Sequence, residues 1–573
     1  MRNGPYPYYE IADVKTLQEL IAYGRNTGGE NTIFYTGRKN DEPMSFITAS
    51  DKIRDLGTFL LSCGYRESHI ALLGENSTEW CLAYFAVANS GNVVVPLDKE
   101  LPKEDLAELI THCGCEAIFY SEKYKDYIAH FQSLGDDFPI MEYFSLSAFD
   151  AFCAEGELLC EENGGGSPFD TVEITPETLA CIVYTSGTSG KSKGVMLTHG
   201  NLASDVVATC KCVTAKNTQI FLPMNHTFSW ASAMFAAFLY SVDAHISGNM
   251  KRIVKDLNRN KPQNISAVPM MVEMLHNGIM LNAKKQGAEK KLRNTMMLSH
   301  ALMTVGIDAR KRLFHQVHES FGGNLETIIC GGAVLDDKLQ RHLYDLGINV
   351  INGYGITECS PVVAVNRNNY FRFGSVGQPL PCNKVKINDP DENGIGEIYV
   401  SGSNVMKGYY KDPEATAEAF DGEWFKTGDY GRLDKDGFLY ITGRKKNLII
   451  LANGKNVSPE ELEQKLSRIE YVKEVAVYEE DKDITAEFFL DEEAYPDARD
   501  RLDADVKIFN GKMPASKNIH RIRLREVPFE KTTTMKIKRY LLNAENKYKD
   551  NNVGKTEDKD VKIYNKREEK GNV

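Results

Sequence analysis

The chain reads as an α/β protein with a large N-terminal domain followed by a small α+β domain. Three observations predict this. Strands alternate with helices over residues 45–100 and again over 326–355. After residue 375 the texture turns to short strands broken by Gly, Asp and Asn. At 458 a capped helix opens a separate small module. At 573 residues the chain also exceeds what one hydrophobic core usually holds.

The first alternation opens with "ASDKIRDLGTFLLSCG" (49–64), apolar at helical spacing, then "HIALLG" (69–74), a short buried strand. "STEWCLAYFAVANSG" (77–91) is a second helix and "NVVVPLD" (92–98) a second strand. Strands spaced by helices pair in parallel, with the helices on the sheet faces. The rhythm returns at "ETIICGGAVL" (326–335), the helix "DDKLQRHLYDLG" and the strand "INVINGYG". "KVKINDPDENGIGEIYVSGSNVMKGYY" and "DGEWFKTGDYGRLDKDGFLYITGR" then suggest an antiparallel barrel or meander. In the last module "SPEELEQKLSRI" carries a Ser cap and Pro before helical periodicity, and "VKEVAVYEEDKDITAEFFL" reads as two alternating strands. Residues 547–573 hold eight Lys/Arg and six Asp/Glu with few apolar residues, and are expected to be a disordered charged tail.

Composition is ordinary for a globular protein, 42% apolar and 26% charged, and the net charge of −12 argues against non-specific binding to nucleic acid or to anionic membrane surfaces. No stretch approaches the ~20 apolar residues of a transmembrane helix. The best candidate, "ASAMFAAFLYSV" (231–242), reads as a buried helix, and "MRNGPYPYYEIADVK" lacks a signal-peptide core. The twelve cysteines show no disulfide framework, so a reduced, cytoplasmic protein is expected. Cys113/Cys115 and Cys210/Cys212 lack zinc-knuckle spacing and read as packing residues.

"YTSGTSGKSKG" (184–194) concentrates glycines, hydroxyls and lysines in one loop. It is not a Walker A motif, because Thr185 stands where that motif needs Gly, and the loop leads into the strand-like Val195-Met196-Leu197 rather than a helix. A strand–loop–strand phosphate clamp fits better, with Thr198 capping the helix that follows. "NGYGITE" (352–358) ends a strand where α/β sheets place ligands, and offers the Tyr354 ring for a base and the Glu358 carboxylate for Mg²⁺. "KTGD" presents Asp429 for ribose hydroxyls; "GRKKNLI" (443–449) and "EKTTTMKIKR" (530–539) bring basic clusters.

In this order the stretches resemble the adenylate-forming superfamily of acyl-CoA synthetases, amino-acid adenylation domains and beetle luciferases. The resemblance runs from about residue 45 to 540 and includes "GKNVSPEELE". Ser189 and Ser192 replace the usual Thr and Pro of the phosphate loop, and Met535 a usual Gly. The resemblance implies a domain at 1–445 built of two α/β-layered subdomains and a distorted antiparallel β-barrel. It also implies a small mobile domain at 446–546. It implies ATP, Mg²⁺ and coenzyme A as cofactor and co-substrates. Thr185, Ser186, Gly187, Thr188, Ser189, Gly190 and Lys193 would handle phosphates, with Thr185 and Glu358 at the metal. Gly331, Gly332 and Ala333 would border the adenine and acyl pockets. Tyr354 would stack on adenine within Asn352, Gly353 and Gly355, and Thr357 would touch the α-phosphate. Asp429 and Arg444 would bind ribose, Lys446 would mark a hinge, Gly454 would line the pantetheine path, and Lys536 would be the adenylation lysine.

Among the branches, the resemblance is to fatty-acid enzymes. By it, "LPMNHTFSWASAMFAAFLYSVDAH" (222–245) would line the acyl site, with His226 and Trp230 as substrate residues. His226 stands where amino-acid-activating relatives carry an Asp, which disfavours an amino-acid substrate. The acceptor reading has an alternative: residues 518–539, with seven Lys/Arg against two Glu, suit the phosphates of coenzyme A or the acidic face of an acyl carrier protein. Nucleic acid is not expected as a partner, and a peripheral membrane contact stays open.

Overall fold

The parallel strands His69–Leu73, Val93–Pro96, Asn264–Ala267 and Thr327–Cys330 are almost wholly buried, as expected of a parallel sheet with both faces covered. The structure, a computed structural model, describes residues 6–35, 43–185, 192–247, 252–451, 456–531, 536–539, 541–542 and 561–563. The chain divides into two compact units. The first comprises residues 1–386, 399–427 and 434–439; the second comprises 387–398, 428–433 and 440–573.

The first unit holds two large sheets. One has seven strands in the order Gly408–Tyr409, Lys193–Thr198, Leu179–Thr185, Val93–Pro96, His69–Leu73, Cys115–Tyr120, Glu142–Ser145. Its centre is parallel, and Lys193–Thr198 runs antiparallel to both of its neighbours. The helices Phe46–Ser62 and Thr78–Asn89 begin at Ser45 and Ser77, whose hydroxyls accept from the Thr48 and Trp80 amides at 3.1 Å. Phe46–Ser62 packs on Phe149–Glu162 so closely that a Cβ at Gly156 would lie 1.9 Å from the Asp55 carbonyl oxygen.

The other sheet has nine strands, with Asn349–Gly355, Thr327–Cys330, Asn264–Ala267 and Thr218–Ile220 parallel at its centre. Val362–Val365 turns back antiparallel to Asn349–Gly355. Leu257, Ile265, Val272, Ile328 and Leu343 are fully buried around these strands, each contributing about 1.5–3 kcal/mol of transfer free energy. The stretch 231–242 is interior as expected: a π-turn at Trp230–Met234 runs into the helix Phe235–Tyr240, almost wholly buried.

Short strands follow at Asn383–Asn388, Gly396–Gly402, Trp424–Leu433 and Leu439–Arg444, and the chain passes between the two units within them. The second unit carries the helices Pro459–Leu466 and Ala498–Asn510 and a four-stranded sheet. Its strand order is Val472–Glu480, Asp483–Leu490, Arg521–Arg525, Val561–Ile563. Ser458 caps the first helix, with Pro459 at its first position. Within 547–573, expected as a disordered charged tail, Val561–Ile563 pair antiparallel with Arg521–Arg525. The rest of that stretch lies outside the described residues.

All twelve cysteines are free thiols, and among the described residues no helix is long and apolar enough to cross a membrane. Cys113, Cys115, Cys210 and Cys212 are buried packing residues.

Candidate active site

The hydroxyl-rich loop leaves one strand and enters another, as its flanking pattern predicts. Thr185 ends Leu179–Thr185 and stands opposite Lys193, the first residue of Lys193–Thr198. Thr198 then caps the helix His199–Cys212 in a reciprocal box with Asn201. The loop residues Ser186, Gly187, Thr188, Ser189 and Gly190 lie outside the described residues.

The Lys193 ammonium lies 4.8 Å over the Tyr409 ring, and the Tyr409 hydroxyl donates to Glu358 Oε1 at 3.0 Å. Tyr409 therefore links the Lys193 ammonium to the Glu358 carboxylate. Burial, with the Glu358 charge adding to it, pushes its phenol well above the ordinary range, so it stays a donor. Sequence reasoning missed it. The signal available was "GYY" at 408–410, an aromatic pair after a glycine at the end of a Gly-broken strand region.

Glu358 lies on the short turn Thr357–Cys359, and that turn is anchored from beneath. Asp205 Oδ1 accepts from the Val362 amide at 2.9 Å and from Asn404 Nδ2 at 3.0 Å. Asn404 Nδ2 also donates to the Cys359 and Val362 carbonyls, and Ser360 Oγ donates to the Asn404 carbonyl. Full burial pushes the Asp205 carboxyl up to about 8, partly opposed by these two donors. Gly355 is required just before the turn, because a Cβ there would lie 2.3 Å from the Pro361 carbonyl oxygen.

Gly331, Gly332 and Ala333 leave the strand Thr327–Cys330, with Gly332 at φ +86°. A Cβ on Gly331 would come within 3.3 Å of the Phe228 ring, which makes Phe228 a wall residue the sequence reading did not name. Gly353 and Tyr354 pair with Val365 and Ala364, leaving Tyr354 half-buried. Asn352 is buried; its Nδ2 donates to the Ser375 carbonyl at 3.3 Å, and its Oδ1 has no partner among the described residues. His226 is half-buried at the start of Thr227–Ser229.

Trp230, expected as a substrate residue, is fully buried; its indole N–H donates to the Met224 carbonyl, and its ring packs 4.9 Å from Tyr84 and 6.2 Å from Phe235. A cavity of about 390 Å³ lined in part by Tyr6, Tyr8, Arg367 and Tyr370 includes none of the motif residues.

These groups suit a magnesium triphosphate. Among the described residues no three His, Cys, Asp or Glu side chains converge. Glu358 offers one carboxylate, and Mg²⁺, which keeps water and phosphate ligands, can be held through a single one. The orphaned Asn352 oxygen is a ready acceptor for an exocyclic amine.

In the second unit, Arg444 Nε pairs with Asp429 Oδ1 at 2.7 Å, and Asp429 is almost wholly buried. Lys445 pairs with Glu397 at 2.6 Å, and the exposed Lys446 follows. Desolvation, then Arg444, lowers the Lys446 ammonium from its ordinary value. Lys536 shares this electrostatic neighbourhood. Desolvation pushes it down to about 8, Arg444 and Lys446 add to the shift, and Asp429 opposes it. The Lys536 side chain is exposed to solvent.

Lys536 is bracketed by pinned neighbours. Lys531 pairs with Glu474 at 2.6 Å and bridges Ile537, and the Arg539 guanidinium binds Glu463 and the Val477 carbonyl. Gly454 lies outside the described residues.

The AMP-binding enzyme family model matches residues 24–410. The chain belongs to the AMP-binding enzyme family. Among curated members, it is 29% identical over 544 residues to the long-chain-fatty-acid–CoA ligase FadD15 of Mycobacterium bovis, covering 86% of this chain and 89% of that one. It is also 29% identical over 520 residues to long-chain-fatty-acid–CoA ligase 5 of Rattus norvegicus, covering 84% and 75%. Solved structures share the fold. ATP-bound MatB from Rhodopseudomonas palustris matches at TM-score 0.74 and 23% identity over 93% of this chain and 99% of that one. A fatty acyl CoA synthetase of Mycobacterium tuberculosis matches at 0.66 and 20% over 93% and 99%.

Proposed function

We propose that this family member activates a fatty carboxylic acid as its acyl-adenylate and transfers the acyl group to coenzyme A, releasing AMP and pyrophosphate. The observation that carries the reading is the Lys193–Tyr409–Glu358 link, which holds a cation and a carboxylate beside the strands that bracket the phosphate loop. The fatty-acid–CoA ligases among its relatives supply the substrate class.

The chemistry explains the residue types. A carboxylate carbon has no good leaving group, so its oxygen attacks the α-phosphorus of ATP and pyrophosphate departs. Two unit charges ~4 Å apart repel by about 4 kcal/mol at an effective dielectric near 20. Lys193 and Lys536 offset that repulsion and stabilise charge developing on the phosphorus oxygens. Mg²⁺, held through Glu358 with Thr185 nearby, would add positive charge on the phosphates. No general base is needed, because the acid is already ionised. Asp429 and Arg444, paired to each other, present a carboxylate and a guanidinium for ribose hydroxyls. Residues 446–546 are proposed as the carrier of Lys536, with the hinge at Lys446, so that the lysine serves adenylation and withdraws for thiol attack.

ATP–pyrophosphate exchange with a panel of acids tests the first half, and thioester formation with coenzyme A tests the second. Exchange with no fatty acid refutes the reading. Transfer to an acyl carrier protein in place of coenzyme A corrects the acceptor.

A further inference from the structure

We propose that the helical hairpin formed by Pro269–Lys285 and Glu289–Thr304 is the surface by which the protein rests on an anionic lipid bilayer. On the second helix Leu292, Met296 and Ser299 are buried at helical spacing. The face away from them should be polar. Instead Met297 and Leu298 are 65% and 51% exposed, and Val305, capping the same helix, is 70% exposed. On the first helix, Leu281 is 53% exposed. Leu298 and Val305, seven residues apart, fall on one face of the second helix, and exposed apolar side chains sharing a face mark an interaction surface.

The charges around them choose the partner. Residues 284–293 hold five cations and one carboxylate in a chain of net charge −12. The one carboxylate, Glu289, is taken by Arg293 at 3.0 Å. Lys284, Lys285, Lys290 and Lys291 are exposed and form no ion pair among the described residues. The turn between the helices is tightly held: the Gly287 and Ala288 amides donate to the Lys284 and Ala283 carbonyls at 3.0 and 2.8 Å. Both lysine pairs therefore flank one ordered turn.

Helix stability does not explain this placement. Lys284 and Lys285 suit a helix C-terminus, but Lys290 and Lys291 occupy the first turn of the next helix, where its dipole disfavours cations. Cations flanking exposed Met, Leu and Val are the pattern of an interfacial helix: the apolar groups enter the acyl boundary and the lysines reach anionic headgroups. The overall negative charge does not oppose this, because screening limits each charge to about 8 Å at physiological salt. A fatty acid would meet the enzyme at such a surface; that point rests on the proposed substrate, whereas the surface itself does not.

The test is co-sedimentation with vesicles, which needs no turnover. Phosphatidylcholine vesicles are compared with vesicles that also contain phosphatidylglycerol, at low and high salt. Wild type should bind the anionic vesicles, lose them at high salt and leave the neutral ones unbound. Lys290→Gln/Lys291→Gln should weaken partitioning about thirtyfold, at about 1 kcal/mol per basic residue. Met297→Asn/Leu298→Asn should also weaken it, while both variants keep wild-type ATP–pyrophosphate exchange with a soluble short-chain acid. Equal binding to both vesicle types, or undiminished binding by both variants, overturns the proposal. So does a vesicle-free change in sedimentation coefficient in the variants, since the face would then join two copies of the chain.

Discussion

Replacing Tyr409 with Phe removes one oxygen and leaves the ring. In the structure that oxygen donates to Glu358 at 3.0 Å while the ring lies under Lys193 at 4.8 Å. A hydrogen bond to a charged acceptor is worth about 1.5–3 kcal/mol, and loss of a residue that orients a metal-binding carboxylate costs about 10–100-fold in metal affinity or activity. Tyr409→Phe should therefore raise the Mg²⁺ concentration for half-maximal ATP–pyrophosphate exchange by about tenfold. Tyr409→Leu also removes the cation–π contact, worth about 0.5–2 kcal/mol, and should lose further activity that added Mg²⁺ does not restore. The assay is exchange rate against Mg²⁺ at saturating ATP, with thermal melting to confirm folding. A Phe variant with wild-type rate and wild-type Mg²⁺ dependence would refute the idea that Tyr409 positions Glu358.

Lys536→Ala should lower adenylation by on the order of 10²–10³-fold while thioester formation from supplied acyl-AMP survives; an equal fall in both half-reactions sinks the assignment. Since Lys536 acts as a cation and is pushed down to about 8, exchange should decline as pH rises through that value, and a profile flat to higher pH contradicts it. Asp205 is raised to about 8 in the fold against an unfolded value of about 3.9. The native state then holds the extra proton, so this group's contribution to stability is full below about pH 4 and falls as pH rises toward 8. Asp205→Asn should flatten that slope in urea melts taken across the range. Gly355→Ala should lower stability by about 3 kcal/mol or more, since its Cβ would meet the Pro361 carbonyl at 2.3 Å; an unchanged melting temperature contradicts the tight approach.

Local pattern carried much of the architecture. The buried strands His69–Leu73 and Val93–Pro96 and the capped helices at Ser77, Thr198 and Ser458 follow from periodicity and from hydroxyls that satisfy helix-end amides. Such features depend on neighbours a few residues away, and the chain states them directly. The strand–loop–strand setting of Thr185 and Lys193 was legible for the same reason. The ring packing of Trp230 against Tyr84 and Phe235 was not legible, because no local pattern reports which distant side chains meet. Nor was the pairing of Val561–Ile563, because three residues in a charged stretch gain meaning only beside an open sheet edge.

The sequence by itself determined the two-part α/β architecture, the order of the motifs and the residue types at the reacting centre, since these rest on short-range spacing and intrinsic chemistry. Only the tertiary structure decided that Tyr409 joins Lys193 to Glu358, that Asp205 and Asn404 hold the Glu358 turn, and that Met297 and Leu298 are left exposed. Those relations join residues as far as 216 positions apart in the chain (Lys193 to Tyr409, 409 − 193). Side-chain contact and burial are properties of the folded surface, and they come into being when distant segments exclude water together.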